Sequence, residues 1–153
     1  MTEISRRAAL GLIISALAAC SANSRETPKN SARYSGNTPE MQRMVARYAR
    51  AYDMPESLIH RVIIRESKYN PSARNGRYYG LMQIDPRTAQ TMGYRGSPEG
   101  LLDAETNLKY AGKYLRGAWL VARGSEDRAV MWYAKGYYYE AKRLGLLKQT
   151  GLV

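Results

Sequence analysis

The sequence predicts a domain that is all-α or nearly so. Apolar residues recur at helical spacing in several segments, and no run of alternating residues is long enough for a substantial sheet. Four segments begin at a residue type that commonly caps a helix: Thr38, Asp85, Asp103 and Ser125. The chain has 153 residues without internal repeats or heptads, so we expect one domain with a short extension.

The first two helices each have an apolar face. In the first, which starts at Thr38-Pro39, the spacing predicts a core-facing side made of Met41, Met44, Val45, Tyr48 and Tyr52. The second opens at Pro55-Glu56, and its positions i, i+3, i+4 and i+7 are Ile59, Val62, Ile63 and Glu66. Residues at this spacing share one helix face. A carboxylate is therefore predicted in line with an apolar stripe.

Proline, glycine and capping residues delimit the later elements. For the long fourth helix, the spacing predicts a buried side made of Leu108, Ala111, Leu115, Trp119 and Ala122. The second helix is predicted to stop at Asn70-Pro71 and to be followed by a loop over 72–79. A third helix should run from Pro86 to Gly93, and the fourth from Asp103 to about Arg123. A fifth should follow Ser125, and Gly136 should bend or break it before 137–144.

The N-terminal residues are typical of an export signal. Residues 1–19 contain the pair Arg6-Arg7 and then an uncharged apolar stretch, which is shorter than the roughly 20 residues that cross a bilayer. Cys20 follows Leu17-Ala18-Ala19, which resembles the lipobox of bacterial lipoproteins, so we predict that Cys20 is lipidated. Arg6-Arg7 also resembles a weak twin-arginine signal, so both the Sec and the twin-arginine export routes stay open. Residues 20–37 are polar and predict a flexible tether, and residues 38–153 the folded domain.

The net charge of +11 favours anionic partners. Residues 20–153 keep +10, since the first nineteen contain Glu3, Arg6 and Arg7. Wall polymers and lipid headgroups are the anions that an exported protein meets, and a generic solubilising charge is an equal alternative. No nucleic-acid-binding motif accompanies the charge, so we expect no nucleic-acid partner.

Glu66 is the first candidate for catalysis. A carboxyl group on an apolar helix face is hard to desolvate as an anion, so its pKa should rise. A raised pKa suits an acid that protonates a glycosidic oxygen near neutral pH. From periodicity alone, a Glu at a helix end with its head group in solvent remains the alternative.

Four segments around this residue carry a family resemblance. They are residues 66–71, 80–89, 103–108 and 132–136, and the sequences Glu-Ser and Gly-Leu-Met-Gln at the start of the first two are specific in combination. In this order, over about residues 40–145, they resemble the soluble lytic transglycosylases, a family of lysozyme-like enzymes. The resemblance implies a compact lysozyme-like helical domain with a glycan cleft between helical lobes.

The resemblance also implies roles for individual residues. Glu66 would be the single catalytic acid/base, and Ser67 would orient it or the substrate. Met82 and Gln83 would contact sugar in the cleft floor, and the hydroxyl group of Tyr133 would approach the catalytic carboxyl. Core packing remains an alternative for Met82, and Tyr133 has the alternative of being one more buried aromatic among thirteen tyrosines.

The reaction implied is cleavage of the β-1,4 bond between MurNAc and GlcNAc in peptidoglycan, with formation of a 1,6-anhydro-MurNAc end. We expect no metal or other cofactor. The single histidine, His60, has no ligand partners at suitable spacing, and we expect it on the surface. We further expect a monomer in the periplasm, tethered to the outer membrane through Cys20.

Three departures from the family pattern keep alternatives open. Ala134 stands where the family usually has Asn, and residues 76–79 are bulkier than the usual Gly-Ala pair and more able to stack on a sugar. Asp85 stands where an apolar residue is usual. We expect Asp85 to cap the helix at Pro86, but in the cleft it would be a second carboxylate and favour a hydrolase with water as the nucleophile. A non-catalytic wall-binding or secretion-accessory protein is the other alternative.

Overall fold

The structure is a computed structural model that describes residues 34–153. The predicted signal peptide, Cys20 and most of the predicted tether lie outside the described residues. The described chain is mostly helical, with one small hairpin, and confirms the predicted fold class. Its elements are α1 (Pro39–Ala51), α2 (Glu56–Glu66), β1 (Arg74–Asn75), β2 (Tyr78–Tyr79), α3 (Pro86–Thr91), a 3-10 helix (Pro98–Leu102), α4 (Ala104–Val121), α5 (Glu126–Lys135), α6 (Tyr138–Arg143) and α7 (Leu147–Thr150).

The four predicted capping residues all cap helices. Each side-chain oxygen accepts a hydrogen bond from a backbone N–H in the first turn, at 3.2 Å for Thr38, 2.8 Å for Asp85, 2.8 Å for Asp103 and 3.4 Å for Ser125. Gly136 ends α5 with a φ of 81°, a backbone conformation that favours glycine. The capped helices therefore start where local chemistry requires, whereas α2 ends at Glu66, before the predicted stop at Asn70-Pro71.

Helix α4 is the centre of the core and packs against α1, α3, α5 and α7. Gly112 and Gly117 allow the rings of Tyr52 and Tyr137 to approach its backbone, because an added Cβ would lie 3.0 Å and 2.1 Å from atoms of those rings and their hydroxyls. Leu108, Ala111, Leu115 and Ala122 are buried as predicted. Trp119 is only partly buried and packs at the edge of this core, contrary to the prediction.

The segment between α2 and α4 contains structure that periodicity did not reveal. The predicted loop over 72–79 includes the antiparallel pair of β1 and β2, joined through Gly76-Arg77. The 3-10 helix Pro98–Leu102 was not predicted, and its carbonyl group at Leu101 accepts a hydrogen bond from Asn107. Elements of two to five residues are too short to show a period.

The prediction of a surface position for His60 is wrong. Its side chain is fully buried, and its Nδ1 lies 2.6 Å from the hydroxyl oxygen of Tyr69. Lys68 and Tyr69 have φ values of 52° and 65°, and this left-handed turn brings the chain back over α2. Burial lowers the pKa of His60 to about 4, so the ring is neutral at neutral pH. Helix α2 is therefore covered on a second face as well as on its apolar stripe.

The described chain begins with a packed residue. Tyr34 packs against the core, with its ring centroid 5.9 Å from that of Tyr69. Packing thus starts four residues before the predicted boundary at residue 38. Within residues 34–153 no helix is long and apolar enough to cross a membrane.

Candidate active site

Glu66 is the last residue of α2 and follows three fully buried apolar residues on the same face, Ile59, Val62 and Ile63. Its side chain keeps 24% of its surface exposed. Burial raises the pKa of Glu66, and the neighbouring Arg65, whose Nε lies 3.4 Å from Oε1, partly opposes this shift. A carboxyl group with a raised pKa and partial access to solvent can carry a proton to a substrate.

Ser67 joins the end of α2 to the loop that follows β2. Its hydroxyl group donates to the carbonyl oxygen of Leu81 at 2.6 Å. Because Ser67 is the next residue after Glu66, this bond fixes the loop over 80–84 relative to the carboxyl group. Ser67 therefore ties this loop to the end of α2, and its role in orienting Glu66 or the substrate stays a prediction.

The side chain of Asn107 forms hydrogen bonds with the same loop and with the residues on either side of it. It lies on α4 and is fully buried, and its Nδ2 donates to the carbonyl oxygens of Tyr79 at 2.9 Å and Leu101 at 2.8 Å, while its Oδ1 accepts from the Met82 N–H at 2.8 Å. Sequence reasoning gave this residue no role. The helix period could have indicated that Asn107 is buried, because it lies four residues before Ala111 and therefore on the apolar side of α4.

Gly80 gives the loop its shape. Its φ is 77°, and a Cβ at this position would lie 2.2 Å from the Leu101 carbonyl oxygen and 2.3 Å from Asn107 Nδ2. No side chain larger than hydrogen fits there without displacing the backbone. The loop can therefore approach α4 closely enough for all three hydrogen bonds of Asn107.

Gln83 lines a cavity and has a left-handed backbone, with a φ of 49°. Both donor positions of its amide group are used within the loop, since Nε2 donates to the carbonyl oxygens of Ala73 at 3.0 Å and Gly80 at 2.9 Å. The side-chain oxygen Oε1 of Gln83 is therefore the remaining polar atom of its amide group, and it can only accept a hydrogen bond.

Met82 is fully buried, so its side chain packs in the core, the alternative that the sequence left open. Its contribution to the site comes from its backbone, which accepts a hydrogen bond from the Tyr133 hydroxyl group at 2.8 Å. A direct contact between the Met82 side chain and a sugar would need a rearrangement of the loop.

Tyr133 lies on α5 and is almost fully buried, with its ring edge-on to Tyr114 at a centroid distance of 5.5 Å. Burial raises the pKa of Tyr133, and the charge of Glu66 raises it further. The phenol therefore stays protonated at neutral pH. Its hydroxyl group donates its proton to the Met82 carbonyl oxygen at 2.8 Å, so the hydroxyl oxygen remains as an acceptor.

Two cavities meet at the end of α5. One, of about 210 Å³, lies between Tyr133, the loop residue Gln83 and the hairpin residue Tyr78, which is 41% exposed. The other, of about 250 Å³, lies between α2 and α5. Ala134 and Lys135 line both cavities.

Glu66 lines neither cavity, but two residues that interact with it do. Arg65, its ion-pair partner, lines the second cavity, and Tyr133, which interacts with it electrostatically, lines the first. We call the two cavities together the cleft, and the two residues that line both, Ala134 and Lys135, their shared wall.

Asp85 combines the two positions that the sequence offered as alternatives. Its Oδ1 caps α3 by accepting from the Arg87 N–H at 2.8 Å, and its Oδ2 pairs with Arg77 Nε at 2.8 Å. The side chain is 11% exposed and lines the first cavity. Both carboxylate oxygens of Asp85 are thus engaged. Asp85 is not among the causes of the pKa shift of Glu66, which are the burial of Glu66 and the charge of Arg65.

Residues 43–147, more than half of the chain, match the family model of the transglycosylase SLT domain. This chain belongs to the SLT family. Comparison with curated proteins finds no significant match. Members of the SLT family are lytic transglycosylases, lyases that act on peptidoglycan, and the chain accordingly has a function of this general type. Among residues 34–153 no group of three His, Cys, Asp or Glu side chains is placed to hold a metal ion.

Proposed function

We propose that this SLT-family protein cleaves the β-1,4 bond between MurNAc and GlcNAc in peptidoglycan and leaves a 1,6-anhydro-MurNAc end, with Glu66 as the single acid/base. The observation that carries the proposal is the half-buried carboxyl group of Glu66: burial raises its pKa, and its charge acts on Tyr133, which lines the cleft together with Gln83. The substrate class follows from the family.

In the first step, protonated Glu66 gives its proton to the glycosidic oxygen as the bond to C1 of the muramyl sugar breaks and positive charge develops there. In the second, the Glu66 carboxylate removes a proton from the C6 hydroxyl group of the same sugar while that oxygen attacks C1. The acid is regenerated and no water is consumed. Intramolecular attack gains from proximity and needs no positioned water molecule.

The state of Asp85 favours this route over hydrolysis. Glycosidases generally use two carboxylates, of which the second acts as nucleophile or activates water. Asp85 lines the cleft, but the Arg87 N–H and Arg77 engage its two oxygens, which leaves fewer acceptor sites for positioning a water molecule. Glu66 is then the one carboxylate assigned to the reaction, which suits an internal nucleophile.

Mass spectrometry of the fragments that the purified protein releases from peptidoglycan tests this function. We expect muropeptides that are one water lighter than reducing-end products. Reducing ends would instead identify a muramidase, with Asp85 as the candidate for its second carboxylate. Retention of glycan strands without any release would favour the non-catalytic wall-binding or secretion-accessory alternative.

The pH dependence of cleavage depends on Arg65. Its positive charge lowers the pKa of Glu66, so Arg65→Gln should raise that pKa. Since the first step needs the protonated acid, kcat/KM falls as the pH rises through the Glu66 pKa, and the variant should lose activity at a higher pH than the wild type. A series of kcat/KM measurements across pH checks this.

Arg61→Gln is the matched control. Arg61 also lies on α2 and lines the second cavity, but it pairs with Glu126 and Asp127 and is not among the groups that shift the pKa of Glu66. In Arg61→Gln, the fall of kcat/KM at high pH, the basic limb of the pH profile, should stay at the wild-type position. A limb that moves to lower pH in Arg65→Gln would contradict the assignment of that limb to Glu66.

We also propose that the protein is a periplasmic lipoprotein, anchored to the outer membrane through Cys20 and active as a monomer. The support is the sequence of residues 1–20, with its apolar stretch and Leu-Ala-Ala-Cys. Fatty-acid labelling of the full chain in cells should be lost in Cys20→Ser, and labelling that persists would contradict the anchor.

A further inference from the structure

Lys135 is an uncompensated positive charge in the wall that the two cavities share. The other cations that line the cleft are paired: Arg77 with Asp85 at 2.8 Å, Arg61 with Asp127 at 2.6 Å, and Arg65 with Glu66 at 3.4 Å. Within residues 34–153, Lys135 has neither an ion pair nor a side-chain hydrogen bond. Its ammonium group is therefore available to a ligand in the cleft.

The surroundings of Lys135 leave room for such a ligand. Ala134 is exposed and lines the same two cavities, where the family usually has the larger Asn. Lys135 is also the last residue of α5, where a positive charge stabilises the helix C-terminus. That stabilisation needs no cleft and would not depend on the substrate, which allows an experiment to separate the two roles.

We propose that Lys135 is a specificity-determining residue that binds a carboxylate of the peptide stem, so that the protein prefers glycan strands whose stems carry free carboxylates. The proposal rests on the proposed function, because it takes the muramyl sugar at the cleaved bond to lie in the cleft. The stem is attached to that sugar through its lactyl group, and carboxylates are its anionic groups. A lysine in the shared wall is therefore placed beside the part of the substrate that carries the charge.

The charge of Lys135 acts on the substrate and not on the acid. Burial and Arg65 shift the pKa of Glu66, and Lys135 is not among the causes. Removing Lys135 should therefore raise KM for anionic stems and leave the basic limb of the pH profile in place. A residue that tuned Glu66 would move that limb.

The test measures kcat/KM of the full chain on three strands: one with free stem carboxylates, one with the same stems amidated, and one without stems. We expect the preference for free over amidated stems to fall about fivefold in Lys135→Met, the effect of losing one partly exposed ion pair. Lys135→Arg should restore most of it. Lys142→Met, at the corresponding end of α6 and outside the cleft, is the matched control and should keep the wild-type preference.

An unchanged preference in Lys135→Met would overturn the proposal, as would an equal loss on all three strands. Failure of the proposed function would show differently, as the absence of anhydro products from the wild type on every strand. In that case, binding of a labelled disaccharide-peptide to the wild type and to Lys135→Met still decides the role of Lys135. Weaker binding of the free-carboxylate stem alone supports it, and equal binding overturns it.

Discussion

Glu66→Gln is expected to lower kcat for glycan cleavage by about 10²- to 10⁴-fold, the contribution typical of a positioned general acid/base. Glutamine keeps the shape of the side chain but can neither donate the proton to the leaving oxygen nor remove one from the C6 hydroxyl group. Release of soluble muropeptides from purified peptidoglycan measures the effect.

The same variant should fold normally. The ion pair with Arg65 is long and half-exposed, and replacing a partly buried carboxyl group by a neutral amide removes a desolvation cost. Thermal unfolding should therefore give a Tm close to that of the wild type. Glu105→Gln is the matched control, because Glu105 is an exposed carboxylate on α4 that pairs with Arg47 and does not line the cleft. Glu66→Gln activity above about a tenth of wild type would contradict the assigned role.

Asn107→Ala is expected to cost about 3–5 kcal/mol of the free energy of unfolding, the largest stability effect that we predict for a single side chain. The substitution removes three buried hydrogen bonds and leaves the Tyr79 and Leu101 carbonyl groups and the Met82 N–H without this partner. Alanine cannot replace any of these bonds. Urea unfolding followed by circular dichroism measures the change.

Lys109→Ala is the control for helix effects, because Lys109 is exposed on the same helix two residues further on. We expect it to change stability by less than about 0.5 kcal/mol. Folded Asn107→Ala at low temperature should also cleave glycan more slowly, since the loop over 80–84 carries Gln83 and the carbonyl group that Tyr133 contacts. A cost below about 1 kcal/mol would mean that water or a shifted loop satisfies the three groups.

Much of the helical framework could be predicted because its causes are local. The caps at Thr38, Asp85, Asp103 and Ser125 act within three residues along the chain, and each forms the bond expected of it. The apolar stripe of α2 likewise depends only on the helix period, and it correctly gave the position of Glu66 at the end of a buried face.

The errors have a common origin in contacts between segments that are distant in sequence or joined by irregular turns. His60 is buried because a left-handed turn at Lys68 and Tyr69 folds the chain back over α2, and no period records such a turn. Trp119 follows the spacing of the buried side of α4 but lies at the edge of the core. Asp85 could be expected to cap a helix, but its second partner, Arg77, comes from the hairpin.

The sequence by itself determined the helical class, the starts of the capped helices, the family and the residue that is proposed as the acid, because periodicity, capping and short motifs are properties of neighbouring residues. Only the tertiary structure decided which groups surround that acid. It buried the Met82 side chain, made Asn107 the support of the loop, engaged both oxygens of Asp85 and left Lys135 unpaired in the cleft. These outcomes depend on distances between α2, α4, α5 and the hairpin, which only the packing of the whole domain sets.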